Sequence, residues 1–467
     1  MKLRPYPEYK DSGVPWLGKI PAHWELRRAK YILRERDERW QEDKGNLLSV
    51  SQYTGVTQRR KKEGSDAPDT RAESLVGYKC ANTNDLVVNI MLAWNGSLGV
   101  SPAQGVVSPA YCVYKFQDGT PWYYHNLLRC AQYRAEIKRR SRGVVDSRLR
   151  LYTDDLFRLP LIKPSDEEQT QIARFLDWKT AQINKFIRNK RRIIELLKEQ
   201  KQNVINQAVT RGLDPNVKLK PSGVEWIGDI PGHWEMRKIT HLYRQIGSGT
   251  TPQSGNADYY DGNIPWIISG DLTDGFLETT SKKVTDKAVQ DYSTLKMYPE
   301  GSLVVAMYGA TIGKVSLTSI RACTNQACCV LSNPRNDINN KFMLQLFLKI
   351  KPDLVRMGYG GGQPNISQDT IKGLRLPIPS IEEQGDIVTF IENETATIDY
   401  AITHAKREIE LMREYRTRLI SDVVTGQVDV RGIEVPDVAE DELLALVEDT
   451  GEADEVIDDE GEMDETD

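Results

Sequence analysis

The chain has 467 residues, 39% hydrophobic and 28% charged, with 67 Asp and Glu against 62 Lys and Arg for a formal net charge of -5. That length exceeds what one core organises and implies two or three domains, and the lack of any apolar run near 18 residues excludes a membrane span. The six cysteines, at 80, 112, 130, 323, 328 and 329, show neither C-x-x-C spacing nor an even frame, which disfavours a zinc ribbon or a disulfide scaffold. With a Met1-Lys-Leu-Arg start that lacks the apolar run of a secretory signal, they are expected to be reduced thiols in a cytoplasmic protein.

The first recognisable segment is residues 12–27, SGVPWLGKIPAHWELR, with Trp16, His23 and Trp24. It returns at residues 222–237 as SGVEWIGDIPGHWEMR, 11 of 16 positions being identical, so that Trp226, His233 and Trp234 repeat the three residues just named. Self-similarity at a fixed offset decides the organisation of a long chain before anything else does. Behind the first cap, residues 28–160 carry short β-type runs at 86–90 and 110–114 between Gly and Pro turns, which predicts a mixed α/β domain with a strong sheet content. This segment also holds two basic clusters, Arg59, Arg60, Lys61 and Lys62, then Arg139, Arg140 and Arg142 with Arg148 and Arg150.

Pro164-Ser165, followed by Asp166-Glu167-Glu168, is a helix start with a hydroxyl cap and carboxylates in the first turn. A heptad seam follows, Leu176, Ile183, Lys190, Leu197 and Val204 alternating with Thr180, Ile187, Ile194, Lys201 and Ala208. The second cap leads into residues 238–377, where a run at 303–307 echoes 86–90 and Ala327-x-Cys329-Val330 echoes Ala110-x-Cys112-Val113. Pro379-Ser380 then opens a second helix, whose seam runs through Ile391, Ile398, Ala405, Met412 and Leu419 opposite Thr395, Ile402, Ile409, Arg416 and Val423. Two helices with matching 3.5-residue seams predict an antiparallel coiled coil whose polar interruptions, Lys190, Lys201 and Arg416, fix its register. From Asp437 onward there are 16 acidic and no basic residues; the 67 carboxylates less these 16 leave 51 against 62 cations, so the rest of the chain has a net charge of +11. A run of like charge with few aromatics predicts a disordered tail on a basic body.

Catalytic constellations are missing. There is no H-E-x-x-H, no G-x-S-x-G and no Cys/His metal spacing, and the chain also lacks a D/N-P-P-Y/F methyltransferase motif. Gly309-Ala-Thr-Ile-Gly313-Lys314-Val315 is one residue short of a phosphate loop and has Val where Mg²⁺ needs Ser or Thr. His23 and His233 sit beside Trp without catalytic partners, which predicts a packing role. What the sequence offers instead is cations for phosphates and amides for base edges. The DNA-binding candidates are Arg59, Arg60, Lys61, Arg139, Arg140, Arg142, Arg148, Gln253, Lys314, Asn325, Gln326, Gln363 and Asn365; Gln58 is a further loop amide. Trp16, Trp24, Trp226 and Trp234, duplicated with their caps, are the candidates for binding two copies of one partner.

The doubled S-G-V-x-W-[LI]-G-x-I-P-x-H-W-E cap, the doubled E-E-Q helix start and Gly247-Ser-Gly-Thr-Thr-Pro252 together resemble the specificity subunit of type I restriction-modification systems. The resemblance covers residues 1 to about 428. It departs in the first half, where Ser108-Pro109 stands in place of Asn325-Gln326 and no G-T-T-P copy occurs. It implies a non-catalytic subunit that reads a bipartite site in double-stranded DNA through two α/β target-recognition domains. It also implies two methyltransferase subunits and ATP-dependent restriction subunits as partners. S-adenosylmethionine, ATP and Mg²⁺ would then be cofactors of those partners, with none in this chain. The expected organisation is a cap and first recognition domain over 1–160, a helix over 161–212, a second cap and recognition domain over 213–378, a distal helix over 379–428 and an acidic tail over 429–467, with pseudo-two-fold symmetry.

Overall fold

The computed structural model describes residues 3–59, 72, 74–145, 148–358 and 365–436. Of the DNA-binding candidates, Arg60, Lys61 and Gln363 lie outside the described residues, as does the acidic run from 437. The chain forms two compact units of mixed α/β structure, one drawn from residues 1–192 and from 405 onward, the other from residues 193–404. Two long helices, Asp166–Arg211 and Ile381–Val424, contribute residues to both units. Ser165 Oγ accepts the Glu168 N–H at 3.3 Å and Ser380 Oγ accepts the Glu383 N–H at 3.2 Å, the capping that the Pro-Ser signals predict. Each helix stops at a glycine in the left-handed region, Gly212 (φ 73°) and Gly426 (φ 78°).

In the first unit the cap is a hairpin, Tyr9–Asp11 paired with Lys19–Pro21, followed by Glu25–Arg28 paired with Pro160–Lys163, so the strand entering the domain is bonded to the strand leaving it. Between them stands a four-stranded antiparallel sheet in the order Leu33–Arg36, Cys112–Phe116, Leu86–Val88, Leu98–Val100. Beside it lie a hairpin of Leu48–Ser51 with Gly55–Gln58 and the helices Pro121–Arg129 and Ala131–Arg140. The helix that begins at Pro121 buries Tyr123, Tyr124, Leu127 and Leu128; proline at its first turn costs no hydrogen bond. The predicted strand at 86–90 ends at Val88, because the Asn89 side chain turns the backbone by accepting the Met91 N–H at 3.1 Å.

The second unit repeats these pairings in its own residues: Leu219–Pro221 with Asp229–Pro231, and Glu235–Lys238 with Arg375–Ile378. Its main sheet runs Tyr243–Gly247, Cys328–Pro334, Leu303–Ala306, Val315–Thr318, Phe276–Leu277, the last pair parallel. A three-stranded sheet built on Tyr260–Ile267 is additional to the elements shared with the first unit. The Asn340–Met357 helix presses Phe342, Met343, Leu346, Phe347, Ile350 and Leu354 into the core, the 3.6-residue spacing of an amphipathic helix.

Along the long helices the seam residues Leu176, Ile183 and Ile187 are buried in the first unit with Ala405, Ile409, Leu419 and Val423; Ile194 and Ala208 are buried in the second with Ile391, Ile398 and Ile402. The polar interruptions take partners on the opposite helix. Lys190 Nζ lies 2.7 Å from Glu408 and Arg416 donates to Asn184 Oδ1 at 2.7 Å in the first unit, while Lys201 Nζ reaches both Asp399 oxygens at 2.7 Å in the second. A lysine or arginine at a seam position is stable only in the register that supplies its acceptor.

The cap histidines tie cap to helix. His23 Nε2 sits 2.9 Å from Glu168 Oε2, and His233 Nε2 sits 2.9 Å from Glu383 Oε2. Trp24 and Trp234 are each 0% exposed, so neither presents a surface to a partner, and the expectation that they bind one is corrected. The indole is the largest apolar body in the cap, and the cap is held on the helix by burying it. Trp24 packs edge-on against Tyr6 at 5.5 Å, and Trp234 against Phe342 at 6.4 Å while donating to Glu383 Oε1 at 3.0 Å. Trp16 and Trp226 remain half-buried, Trp16 resting edge-on at 5.0 Å from Tyr133. Trp24→Ala and Trp234→Ala are each expected to cost about 3–5 kcal/mol of stability, the range for large-to-small core truncation; calorimetry of the single variants checks this, each lowering the transition of its own unit.

Candidate nucleic-acid interface

In the second unit the loops at one end of the main sheet are cross-bonded into a single face. Gly249 N–H bonds Thr324 Oγ1 at 3.0 Å and Asn325 O at 3.3 Å, Met307 N–H bonds Ala327 O at 2.8 Å, and Ile366 N–H bonds Met307 O at 2.9 Å. Tyr308 forms an isolated bridge with Asn365. Glycine is obligatory at 249, since a Cβ there would stand 1.7 Å from Thr324 O. The candidate amides therefore come together: Gln253, Asn325, Gln326 and Asn365 lie on consecutive loops of this face. Gln253, Gln326 and Asn365 are exposed, and Gln326 Oε1 accepts from Thr251 Oγ1 at 2.6 Å. Asn325 is partly committed to its own turn, its Oδ1 accepting the Ala327 N–H at 3.1 Å. Lys314 is half-buried at the same end, its carbonyl accepting the Ala306 N–H at 2.8 Å. The glycines around it form a short 3-10 turn at Gly309–Thr311 that leads into a strand. The segment therefore lacks the helix N-terminus with which a phosphate loop holds its ligand.

The first unit builds its corresponding loops differently. Leu151 N–H bonds Ile90 O at 2.8 Å, which lays the segment after the Ala131–Arg140 helix against the loop at 89–97. Arg142 and Arg150 exchange backbone bonds of 2.9 Å in both directions, and a shallow groove is lined by Arg142, Arg148, Arg150, Tyr152 and Asp154. The arginines divide into two sets. Glu136 takes Arg139 through both carboxylate oxygens at 2.6 and 2.7 Å and Arg140 at 2.7 Å, and Asp155 takes Arg142 at 2.8 Å. Two cations hold the Glu136 carboxyl below its ordinary value against the opposing effect of burial. Arg148 and Arg150 are exposed and have no carboxylate partner among the described residues. They are the guanidiniums available to a phosphate. Arg59, also exposed, lies just beyond the Gly55–Gln58 strand with Gln58.

Sequence reading missed the aromatic and buried members of these faces. Tyr53 and Tyr308 are exposed at loop tips, Trp94 carries Lys138 Nζ 5.0 Å above its ring, and Lys341 stands 6.0 Å over Phe276. His125 is half-buried and its Nδ1 accepts the Val100 N–H at 3.1 Å, a bond that requires the neutral ring. No periodic or motif signal marks isolated aromatics at turn tips; for His125 the one hint is the two small residues it touches, Gly55 and Gly99. Among the described residues no group of three or more His, Cys, Asp or Glu side chains is placed to hold a metal ion, and no helix is long and apolar enough to cross a membrane. All six cysteines are free, four of them buried.

Residues 231–411 match the family described as the type I restriction modification DNA specificity domain. Over those residues this chain is similar to the type I restriction-modification specificity family. Among relatives, the MjaIX specificity subunit of Methanocaldococcus jannaschii is 27% identical over 201 residues, 42% of this chain and 45% of that protein. The EcoR124I/EcoR124II specificity subunit of Escherichia coli is 27% identical over 221 residues, 44% of this chain and 51% of that protein. The chain thus spans about half the length of these curated relatives. In fold, it is similar to a chain from the structure of complex assembly and conformational transition of the type I R-M system, with a TM-score of 0.65 at 13% identity over 87% of this chain and 98% of that one. The family match covers the second unit's cross-bonded loop face and both partners of its cap contact, His233 and Glu383.

Burial, with the neighbouring Arg129 charge, pushes the His125 imidazole down to about 3. The unfolded chain binds that proton near pH 6.5 and the folded chain does not, so stability is complete above about pH 6.5 and falls as the pH drops toward 3, by up to about 1.4 kcal/mol per unit. Melting curves between pH 7 and 4 should show wild type losing more stability than His125→Gln, whose side chain does not titrate; equal losses would contradict the neutral ring.

Proposed function

We propose that this chain is a non-catalytic specificity subunit of a type I restriction-modification system, recognising a bipartite target in double-stranded DNA with one half-site read by each unit. The observation that carries the reading is the gathering, in each unit, of exposed cations or amides onto loops at one end of a sheet, within a basic body whose sequence has no catalytic constellation. Phosphate contacts supply affinity and amide or guanidinium contacts to base edges supply sequence preference. The two faces differ in composition, guanidiniums in one and amides in the other, as two readers of different half-sites require.

The long helices serve as a coiled-coil spacer that fixes the gap between half-sites, its register held by the Lys190–Glu408, Arg416–Asn184 and Lys201–Asp399 pairs. The repeated caps and pairings favour a pseudo-two-fold arrangement, which suits two copies of a methyltransferase subunit. Exposed apolar side chains on the helices, Leu196, Tyr400, Leu411 and Tyr415 among them, give those subunits a surface, with the half-buried Trp16 and Trp226 at the caps. S-adenosylmethionine, ATP and Mg²⁺ are then used by the methyltransferase and restriction subunits, and the chain works in the cytoplasm where the DNA is.

Titration of the full chain with duplex DNA at several salt concentrations tests this. Log K should fall steeply with log salt, and the double variant Arg148→Ala/Arg150→Ala should reduce the slope by about one to two, roughly 0.9 for each phosphate left without its cation. A flat salt dependence would contradict DNA binding, and cleavage or methylation by the chain alone would contradict a non-catalytic subunit.

A further inference from the structure

Arg129, the last residue of the Pro121–Arg129 helix, is half-buried and has no carboxylate partner among the described residues. Its hydrogen-bond acceptors are all backbone carbonyls. Nη1 donates to Gly96 O and Leu98 O at 2.7 Å and to Ser51 O at 3.3 Å; Nη2 donates to Gln52 O at 3.0 Å and Tyr53 O at 2.9 Å. One guanidinium therefore joins the turn of the Leu48–Ser51/Gly55–Gln58 hairpin to the loop at 89–97. A planar fork fits this task and an ammonium does not, because the acceptors diverge in directions only fixed N–H vectors reach together. Burial without a counter-charge pushes the guanidinium down to about 10, which leaves it charged at neutral pH.

His125, one helical turn earlier and on the same face, completes the clamp by accepting the Val100 N–H. The two loops approach so closely that a Cβ at Gly55 would stand 2.9 Å from His125 Cε1 and 3.3 Å from Arg129 Nη1, and one at Gly99 would stand 3.0 Å from His125 Cε1. Arg134 adds a bond from Nη1 to Asn95 O at 3.1 Å, which fixes the far side of the 89–97 loop. The clamp displays Tyr53 at the tip, 43% accessible, with the partly exposed Gln52 beside it. The hairpin continues into Gln58 and Arg59, and the 89–97 loop abuts the segment bearing Arg148 and Arg150. A charge partly withdrawn from water without a counter-ion is costly. Here it is stabilised by those backbone carbonyls, and in bonding them it holds a turn that presents an aromatic ring and an amide, the two groups that stack on bases and bond their edges. In the second unit the strand that follows the Gly247 segment is instead the long Tyr260–Ile267 strand.

We propose that the Gln52-Tyr53-Thr54 turn is a base-reading element for one half-site, and that Arg129 is its positioning residue. The proposal rests on the DNA-reading function argued above and names a part of it that no basic cluster or motif marks.

The test is selection of bound duplexes from a random-sequence pool by the full-length chain, followed by sequencing, for wild type, Gln52→Ala/Tyr53→Ala, Arg129→Gln and Arg129→Lys. Wild type should enrich a site with two defined parts. Gln52→Ala/Tyr53→Ala, which alters only side chains at the turn surface, should lose preference on the order of tenfold at positions of one part and leave the other part intact. Arg129→Gln should blur the same part, and Arg129→Lys, which keeps the charge and loses the fork, should fail to restore it. A purely structural Arg129 would lower the melting temperature and the total bound DNA with both parts keeping their preferences, and that overturns the positioning role. Two unchanged parts with Gln52→Ala/Tyr53→Ala overturn the reading element while leaving the DNA-reading function standing. A wild-type chain that enriches no sequence overturns both.

Discussion

The rest of the structure depends on a carboxylate at the start of each long helix. Glu168 and Glu383 stand in the first turn, where the helix dipole favours negative charge, and each is hydrogen-bonded to the histidine of a cap. The Glu168 side chain is almost fully buried and also accepts from Tyr6 Oη at 2.7 Å. A buried charge of this kind is stable only when its hydrogen bonds are made, so each cap has one seat on its helix. The cap delivers the strand that opens the α/β domain, and that strand is bonded to the one that closes it. Each sheet is thereby mounted on a helix start, and the loops at the sheet end are placed by that mounting.

The two units use the same mounting for different surfaces. In the first, arginines and a clamped aromatic turn occupy the loop end; in the second, amides do, on loops bound together through Gly249, Met307 and Ile366. A shared frame thus carries different loops and, in the second unit, an added three-stranded sheet. The pairing of Arg139 and Arg140 with Glu136 shows why a cluster of cations in sequence is a poor guide to phosphate contacts. A carboxylate one turn away removes two of them from use, and Arg148 and Arg150 are the ones left exposed.

How much of this was legible in the sequence follows from how local each signal is. The caps, the helix starts and the seams repeat, and their physics is written within a few residues: a hydroxyl before a run of carboxylates, an apolar residue every three or four. The polar interruptions Lys190, Lys201 and Arg416 were recognisable, though their acceptors are about 200 residues or more away along the chain and were not. Of the candidate site, the shared placement of the second unit's amides was legible because they lie in Gly- and Pro-rich loops. The Arg129 clamp was not, since its acceptors are backbone carbonyls from two distant segments, which have no residue identity. For Trp24 and Trp234 the sequence is ambiguous in kind, because aromatic residues in a repeated motif suit both a core and an interface; only burial distinguishes the two.

If two different faces read the two halves of one split DNA site, the modification pattern of a genome carries their signature. Mapping methylated positions across the genome of a host in which this chain is the sole specificity subunit tests this most directly. The expected result is a single motif of two short defined sequences, different from each other and separated by a fixed gap of unspecified bases. A continuous motif, or a methylation pattern unaffected by deleting the chain, would contradict it.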